Sequence, residues 1–235
     1  MTGTAVRRMP DVVATGVVLV ALVAINLTHH LLSTPWWVGP VEAAALLAFA
    51  RFTGLTWTEL GFGAHRMSSG VRWGLGVVAV VAVVYTVGVL LPLTRSAFQD
   101  ERYHLPLPGA LFSALVVIPL GTVVLEEIAF RSVLWGMLGR HLSQWGVLVT
   151  TSVLFGLWHV LPALHVGSAN RGVSGAIGGS SWLVVTATVA FTALGGLVFG
   201  ELRRRSGSVL AAMGAHWATN ALGVLFGLLA WRLAG

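Results

Sequence analysis

The sequence predicts an all-α fold: a polytopic transmembrane bundle of about seven helices, with six or eight as the neighbouring counts, and the N-terminus in the cytoplasm. Three observations carry that prediction. The chain is 56% hydrophobic and only 9% charged, against roughly 25% charged in soluble domains, which leaves too little polar surface to coat a water-soluble body. Several apolar runs reach the roughly 20 residues that a helix needs to cross a bilayer. Arginine is divided unevenly between the segments that join those runs. A transmembrane barrel would show short alternating strands instead, and none is readable.

The elements follow in order, and residues 1–235 read as a single integral membrane domain without internal repeat, linker or low-complexity tail. The first apolar run, about Val12 to Leu32, follows Arg7 and Arg8. It is long and lacks a small-x-small exit site, so it reads as a retained helix rather than a cleaved signal peptide. A second run covers about Trp36 to Phe52. Thr53 to Arg72 reads as a mixed cytoplasmic connector holding Glu59, His65 and Arg66. The third run is about Val71 to Leu93, followed by a polar loop with Arg95, Asp100, Glu101, Arg102, Pro106 and Pro108. The fourth, about Gly109 to Gly139, would be near 46 Å long at ~1.5 Å per residue, so it must tilt or project beyond a core of ~30 Å. The fifth runs from about Gln144 to Leu164. A loop with Arg171 and the glycine-rich stretch Gly172 to Ser181 reads as flexible. The sixth, Trp182 to Leu202, ends in Arg203, Arg204 and Arg205; the last, about Gly207 to Trp231, reads as one helix or a broken pair.

With the N-terminus inside, Arg7, Arg8, Arg51, Arg66, Arg72, Arg140 and Arg203 to Arg205 fall on the inner side. Arg95, Arg102, Arg171 and Arg232 fall on the outer side. That bias is what a cytoplasmic N-terminus requires. The formal charge of +6 comes entirely from arginines set between apolar segments, a topology signal rather than a nucleic-acid face. The chain has no cysteine, which excludes disulfides, thiol catalysis and thiolate metal sites. Gly196-x-x-x-Gly200 and Gly223-x-x-x-Gly227 read as close-packing spacings.

Charged side chains near the bilayer centre cost at least about 2.5–3.5 kcal/mol and are normally functional or paired. The fourth run contains Glu126-Glu127-Ile128-Ala129-Phe130-Arg131. Glu127 and Arg131, four apart, share a face and can pair, while Glu126 is rotated by about 100° and stays free. The fifth contains Phe155-Gly156-Leu157-Trp158-His159, and the last contains His216-Trp217-Ala218-Thr219-Asn220. Measured from the middle of each run, Glu126, His216 and Asn220 fall at similar depth. His159 falls about 7–8 Å toward the outer side, the weakest fit to a single cluster. These residue types suit peptide hydrolysis: a base to activate water and donors to hold the oxyanion. A partly buried carboxylate is such a base.

Glu-Glu-x-x-x-Arg, Phe-x-x-x-His and His-x-x-x-Asn, on three successive hydrophobic blocks, resemble the CPBP family, the CAAX proteases and bacteriocin-processing enzymes. The resemblance covers about Gly109 to Gly227, so that 109–227 would be the catalytic core. Trp57-Thr58-Glu59-Leu60-Gly61 is similar to an upstream family feature. The resemblance implies an intramembrane endopeptidase with a cavity open to the cytoplasm. Glu126 and His159 would activate water, His216 and Asn220 would stabilise the oxyanion, and Glu127 and Arg131 would support the first motif. No cofactor is favoured. Zinc or another divalent metal stays open, with Glu126, His159 and His216 as its ligands, although the usual His-Glu-x-x-His helix is absent.

Bland readings stand beside these. Glu127–Arg131 can be a purely structural pair. Phe130, Phe155, Trp158 and Trp217 read as core or cavity-wall aromatics, and His29 and His30 as interfacial. Glu42 lies in an apolar run without an obvious partner, and His65, His104, His141 and His165 receive no role. A proton-coupled transporter is the alternative function, but no inverted repeat supports it. A catalytically inactive relative acting as a membrane binding partner is the other. The expected partners are the lipid bilayer and a peptide or protein substrate, lipid-modified or not, and no nucleic acid. The absence of lysine and the abundance of Ala, Val, Gly and Arg suggest a high-GC bacterial source and hence the cell membrane. Oligomeric state is not readable.

Overall fold

The computed structural model describes residues 9–32, 34–164 and 181–234. Arg7, Arg8, His165, Arg171 and the glycine-rich stretch beginning at Gly172 lie outside them. Among the described residues the chain is helical, with no strand. Its long elements are α1 (Asp11–Leu31), α2 (Val38–Phe52), α3 (Ala64–Leu90), α4 (Leu107–Leu138), α5 (Gln144–Trp158), α6 (Ser181–Ser206) and α7 (Val209–Ala234). Five of them, α1, α3, α4, α6 and α7, are long and apolar enough to cross a membrane. The helical membrane bundle expected from hydropathy is what the chain forms.

Local signals set the helix ends. Pro106 and Pro108 open α4, where a missing N–H costs nothing. Ser143 and Ser208 cap α5 and α7 by accepting from Gly146 N–H and Leu210 N–H. Gly207 turns α6 into α7 with a φ of 72°, a conformation that glycine adopts without strain. Two boundaries differ from the hydropathy reading. The third helix begins at Ala64 rather than near Val71, because a helix continues through its polar first turns while a hydropathy run records only the apolar part. The fifth ends at Trp158, followed by a short turn from Val160 to Ala163.

α4 is the central helix. Every residue from Leu125 to Leu134 is buried, so it is enclosed on all sides. α2 packs along it, α3 lies against α7, and α5 against α6. Small residues permit the closest of these approaches. A methyl added at Gly196 would sit 3.0 Å from Ser152 Cα, and one at Gly200 would sit 2.5 Å from Leu148 Cδ1. The Gly196-x-x-x-Gly200 spacing is therefore the seam between α5 and α6. Many large apolar side chains point outward, Val80, Phe191 and Leu194 among them, as expected where the surroundings are lipid rather than water.

α4 and α7 carry π-helical turns at Ser113–Val117, Pro119–Val123, Ile128–Leu134 and Ala218–Leu222. Such turns often mark functional positions. Here they bracket Glu126 and Glu127 and include Arg131 and Asn220.

One end of the bundle gathers the start of α1, the α2–α3 turn, the end of α4 and the α6–α7 junction. Arg140 bonds Asp11 and Glu59, each at 3.0 Å. In the turn, Thr56 and Glu59 cap each other: Glu59 Oε2 accepts from the Thr56 backbone N–H and hydroxyl, and Thr56 Oγ1 accepts from Glu59 N–H. Burial pushes the Glu59 carboxyl up, but the Thr56 backbone bond and Arg140 outweigh it and hold it below the ordinary value. Gly61, with φ 84°, closes the turn against the Arg203 guanidinium.

Candidate active site

The three motif helices bring their polar side chains to one buried place. Glu126 is 7% exposed, and Glu127 and Arg131 are fully buried. Arg131 Nη1 donates to Glu127 Oε1 at 3.1 Å, the pairing that the four-residue spacing predicts. The Arg131 guanidinium also lies 4.0 Å over the Phe155 ring and 5.2 Å from that of Phe199, and Nη2 reaches Gly196 O at 3.4 Å. A buried guanidinium needs this many partners to repay its desolvation.

Glu127 has a second partner that spacing alone does not reveal: His216 Nδ1 sits 2.8 Å from the same Oε1. A carboxylate already paired with arginine accepts, so Nδ1 carries the proton and His216 turns Nε2 toward Glu126. Phe199 stacks on the imidazole with its centroid 5.0 Å away. His159 is oriented in the same way. Its Nδ1 donates to Phe155 O at 2.8 Å, because a carbonyl can only accept, and its Nε2 also faces Glu126.

The two Nε2 atoms approach Glu126 Oε2 to 3.9 Å for His159 and 3.7 Å for His216. Both distances are too long for direct hydrogen bonds and suit a shared small donor between them. Oε2 is buried with no hydrogen-bond partner, while Oε1 accepts from Trp158 Nε1 at 3.1 Å. Trp158 is thus more than the wall aromatic that its position suggests, and Asn26 of α1 fixes its backbone by donating to Trp158 O at 3.0 Å. His159, the outlier by depth, joins the cluster because α5 ends at Trp158 and its last turn lies level with the middle of α4.

A tetrahedral zinc site places its ligand atoms about 3.4 Å apart. The separations here are wider, and no group of three or more His, Asp or Glu side chains among the described residues is arranged to hold a metal ion.

Asn220 lies one turn beyond His216 and lines, with His159, His216, Phe199, Thr219 and Tyr85, a cavity of about 420 Å³ beside the carboxylate. Tyr85 holds that wall by donating to Thr219 O at 2.9 Å. Glu42, without a partner in the sequence reading, is bonded to His29 at 2.7 Å between α2 and α1. That pair also moves His29 from a merely interfacial role to an interhelical one. His104 stacks on Trp231 with centroids 4.4 Å apart.

Comparison with curated proteins and with solved structures found no match. Comparison with protein-family models matched residues 108–222 to the family described as Type II CAAX prenyl endopeptidase Rce1-like. That stretch holds Glu126, Glu127, Arg131, His159, His216 and Asn220, the residues just described as one cluster. Over residues 108–222 this chain is therefore similar to the Rce1-like type II CAAX prenyl endopeptidase family.

Proposed function

We propose that this protein hydrolyses peptide bonds inside the bilayer, with Glu126 and His159 activating water and His216 and Asn220 stabilising the oxyanion. The observation that carries the reading is the buried, unpartnered Oε2 of Glu126, faced by two imidazole nitrogens at 3.9 and 3.7 Å. Glu126 Oε2 and His159 Nε2 converge as acceptors on one point and call for a donor, and a water molecule is the donor that hydrolysis needs. In this scheme Glu126 takes one proton as the water oxygen attacks the scissile carbonyl carbon, and His159 Nε2 holds the other O–H in line. The carbonyl oxygen becomes an oxyanion. It is met by the Asn220 amide N–H and by the His216 ring, which Glu127 holds in place through Nδ1. The C–N bond then breaks, and the proton held by Glu126 passes to the leaving amine.

The substrate is a membrane-associated or C-terminal peptide segment. The family name points to prenylated ends, while the composition points to a bacterial cell membrane, where an unprenylated peptide is the expected substrate. The test is cleavage of a fluorogenic membrane-peptide library, with prenylated and plain members, by purified wild type and Glu126→Gln in detergent, with and without chelator. The expected result is cleavage by wild type that survives chelation and falls at least about 100-fold in Glu126→Gln, the scale of a lost general base. Equal cleavage by both proteins would remove Glu126 from the chemistry. Loss on chelation with recovery on added zinc would turn Glu126, His159 and His216 into metal ligands.

A further inference from the structure

We propose that a cavity at the arginine-rich end of the bundle, walled by the α2–α3 turn, the end of α4 and the start of α5, binds a phosphate group at the depth of the lipid headgroups. The site is separate from the catalytic cluster and stands whatever reaction that cluster performs.

The chain has eight carboxylate side chains, and none of them pairs with Arg203. Asp11 and Glu59 are bonded to Arg140, Glu42 to His29, Glu127 to Arg131 and His216, and Glu201 to Arg204 and Arg205. Glu126 faces His159 and His216, and Asp100 and Glu101 belong to the α3–α4 connection. Yet Arg203 is only 6% exposed. Arg131, the other buried arginine among the described residues, has Glu127; Arg203 has no anion. A buried cation without a counter-ion is costly, so an anion from outside the chain gains by joining it.

The guanidinium is held in place and left with one free edge. Arg203 Nε donates to Arg131 O at 3.1 Å and Nη2 to Glu59 O at 3.0 Å. Nη1 has no hydrogen bond among the described residues and is not one of the sealed, unpartnered atoms. It therefore opens into the cavity of about 250 Å³ that Arg203 lines. Arg140 forms a second wall, and Thr58 and Gln144 supply neutral donors. Gln144 is the first residue of α5, whose N-terminal end adds its positive dipole. Glu59 is also in the wall, but its carboxylate is engaged by Arg140 and Thr56. The turn is fixed from behind, where Ser132 Oγ donates to Leu60 O at 2.7 Å and Val209 N–H to Gly61 O at 3.1 Å. Guanidinium donors beside a helix N-terminus are the arrangement that suits phosphate oxygens.

Two exposed tryptophans set the depth. Trp57 precedes Thr58 and has Arg51 over its ring at 5.0 Å; Trp145 follows Gln144 and has Arg204 over its ring at 5.0 Å. Tryptophans of this kind sit at the headgroup level, where basic pockets between helices bind lipid phosphates. Because Arg203 also holds Arg131 O, an occupied site braces the α4 turn that carries the partner of Glu127.

The test is the unfolding midpoint of the full-length chain in neutral detergent. It is titrated separately with inorganic phosphate, with phosphatidylglycerol in mixed micelles, and with diacylglycerol of the same chains, which lacks the phosphate. Substituting Arg203 would also release two backbone carbonyls. The site is broken instead by Gln144→Glu and, independently, by Thr58→Glu, each of which places an anion at the exposed rim of the cavity. The control, Arg205→Gln, removes an exposed arginine outside it. Phosphatidylglycerol is expected to raise the midpoint of wild type and Arg205→Gln by about 5 °C or more at a 100-fold excess over Kd. Diacylglycerol should leave it unchanged, and neither glutamate variant should respond. An equal rise with inorganic phosphate supports the site and makes its ligand the free ion rather than a lipid. No rise with either phosphate compound in wild type overturns the proposal. So does a rise as large in both glutamate variants, which would put the anion elsewhere, or one as large with diacylglycerol, which would make the effect that of the chains.

Discussion

Glu126 and Glu127 are consecutive, buried and on the central helix, yet their surroundings differ in charge compensation. Glu127 has a full cation at 3.1 Å and an imidazole at 2.8 Å on the same oxygen. Glu126 has only a neutral indole at 3.1 Å, with two imidazoles held just beyond bonding distance. One carboxylate is locked into the architecture, and its neighbour is left able to take up a proton. A single residue step, about 100° around the helix, separates an anchor from a reactive group.

The largest effect should come from breaking the anchored side. Arg131→Met leaves Glu127 buried without its cation and is expected to cost about 3–5 kcal/mol, read as a lowered unfolding midpoint in detergent. Adding Glu127→Gln to that variant should recover part of the loss, since it removes the stranded charge; no recovery would mean that the pair is not what Arg131 stabilises. Next, Glu127→Gln alone keeps a hydrogen-bonding side chain but not the anionic acceptor that orients the His216 ring through Nδ1. It is expected to lower kcat about 10- to 100-fold, or roughly 1.4–2.7 kcal/mol, with KM unchanged. A change confined to KM would make Glu127 a purely structural residue.

Trp158→Phe sharpens the comparison from the reactive side. It keeps the ring against Phe130 and deletes the donor to Glu126, for an expected loss of about tenfold in kcat/KM. Unchanged kinetics would show that Glu126 is held by its helix alone.

The smallest effect belongs to a third carboxylate, the half-exposed Glu59 outside the membrane-spanning segments. Its folded-state carboxyl lies below the ordinary value. Its contribution is therefore present above the unfolded carboxylate value of about 4.3 and lost as pH falls through the lower folded one. At this exposure it is worth at most about 1 kcal/mol. Wild type should lose more unfolding midpoint than Glu59→Gln on acidification from about pH 5 to pH 3; parallel losses would assign the acid sensitivity elsewhere.

Hydropathy made the helices legible, because crossing a bilayer demands a run of fixed length whatever its neighbours do. The polar residues within those runs were legible for the same reason: each is costly there. What hydropathy does not encode is hydrogen-bond register, so the π turns at Ile128–Leu134 and Ala218–Leu222 left no trace in the apolar pattern. Contacts between helices were equally silent. Nothing in the spacing links Glu127 to His216, Trp158 to Glu126 or His29 to Glu42. His159 was placed too far out because depth was measured from the middle of its own run, whereas α5 is a short helix whose end, not its middle, lies level with Glu126.

At the arginine-rich end Ser132 Oγ donates to Leu60 O and Val209 N–H to Gly61 O, contacts between residues more than seventy positions apart, and the buried polar cluster itself spans α4 to α7. During synthesis, Glu126 leaves the ribosome well before His216 and Asn220, by on the order of ten seconds at typical elongation rates. Until α7 enters the bilayer, the nascent chain holds Glu126 without His216 and Asn220 beside it. Under the proposed mechanism hydrolytic competence therefore arrives last, with release from the insertion machinery, and a chain truncated before α7 should be harmless to the other polypeptides passing through it.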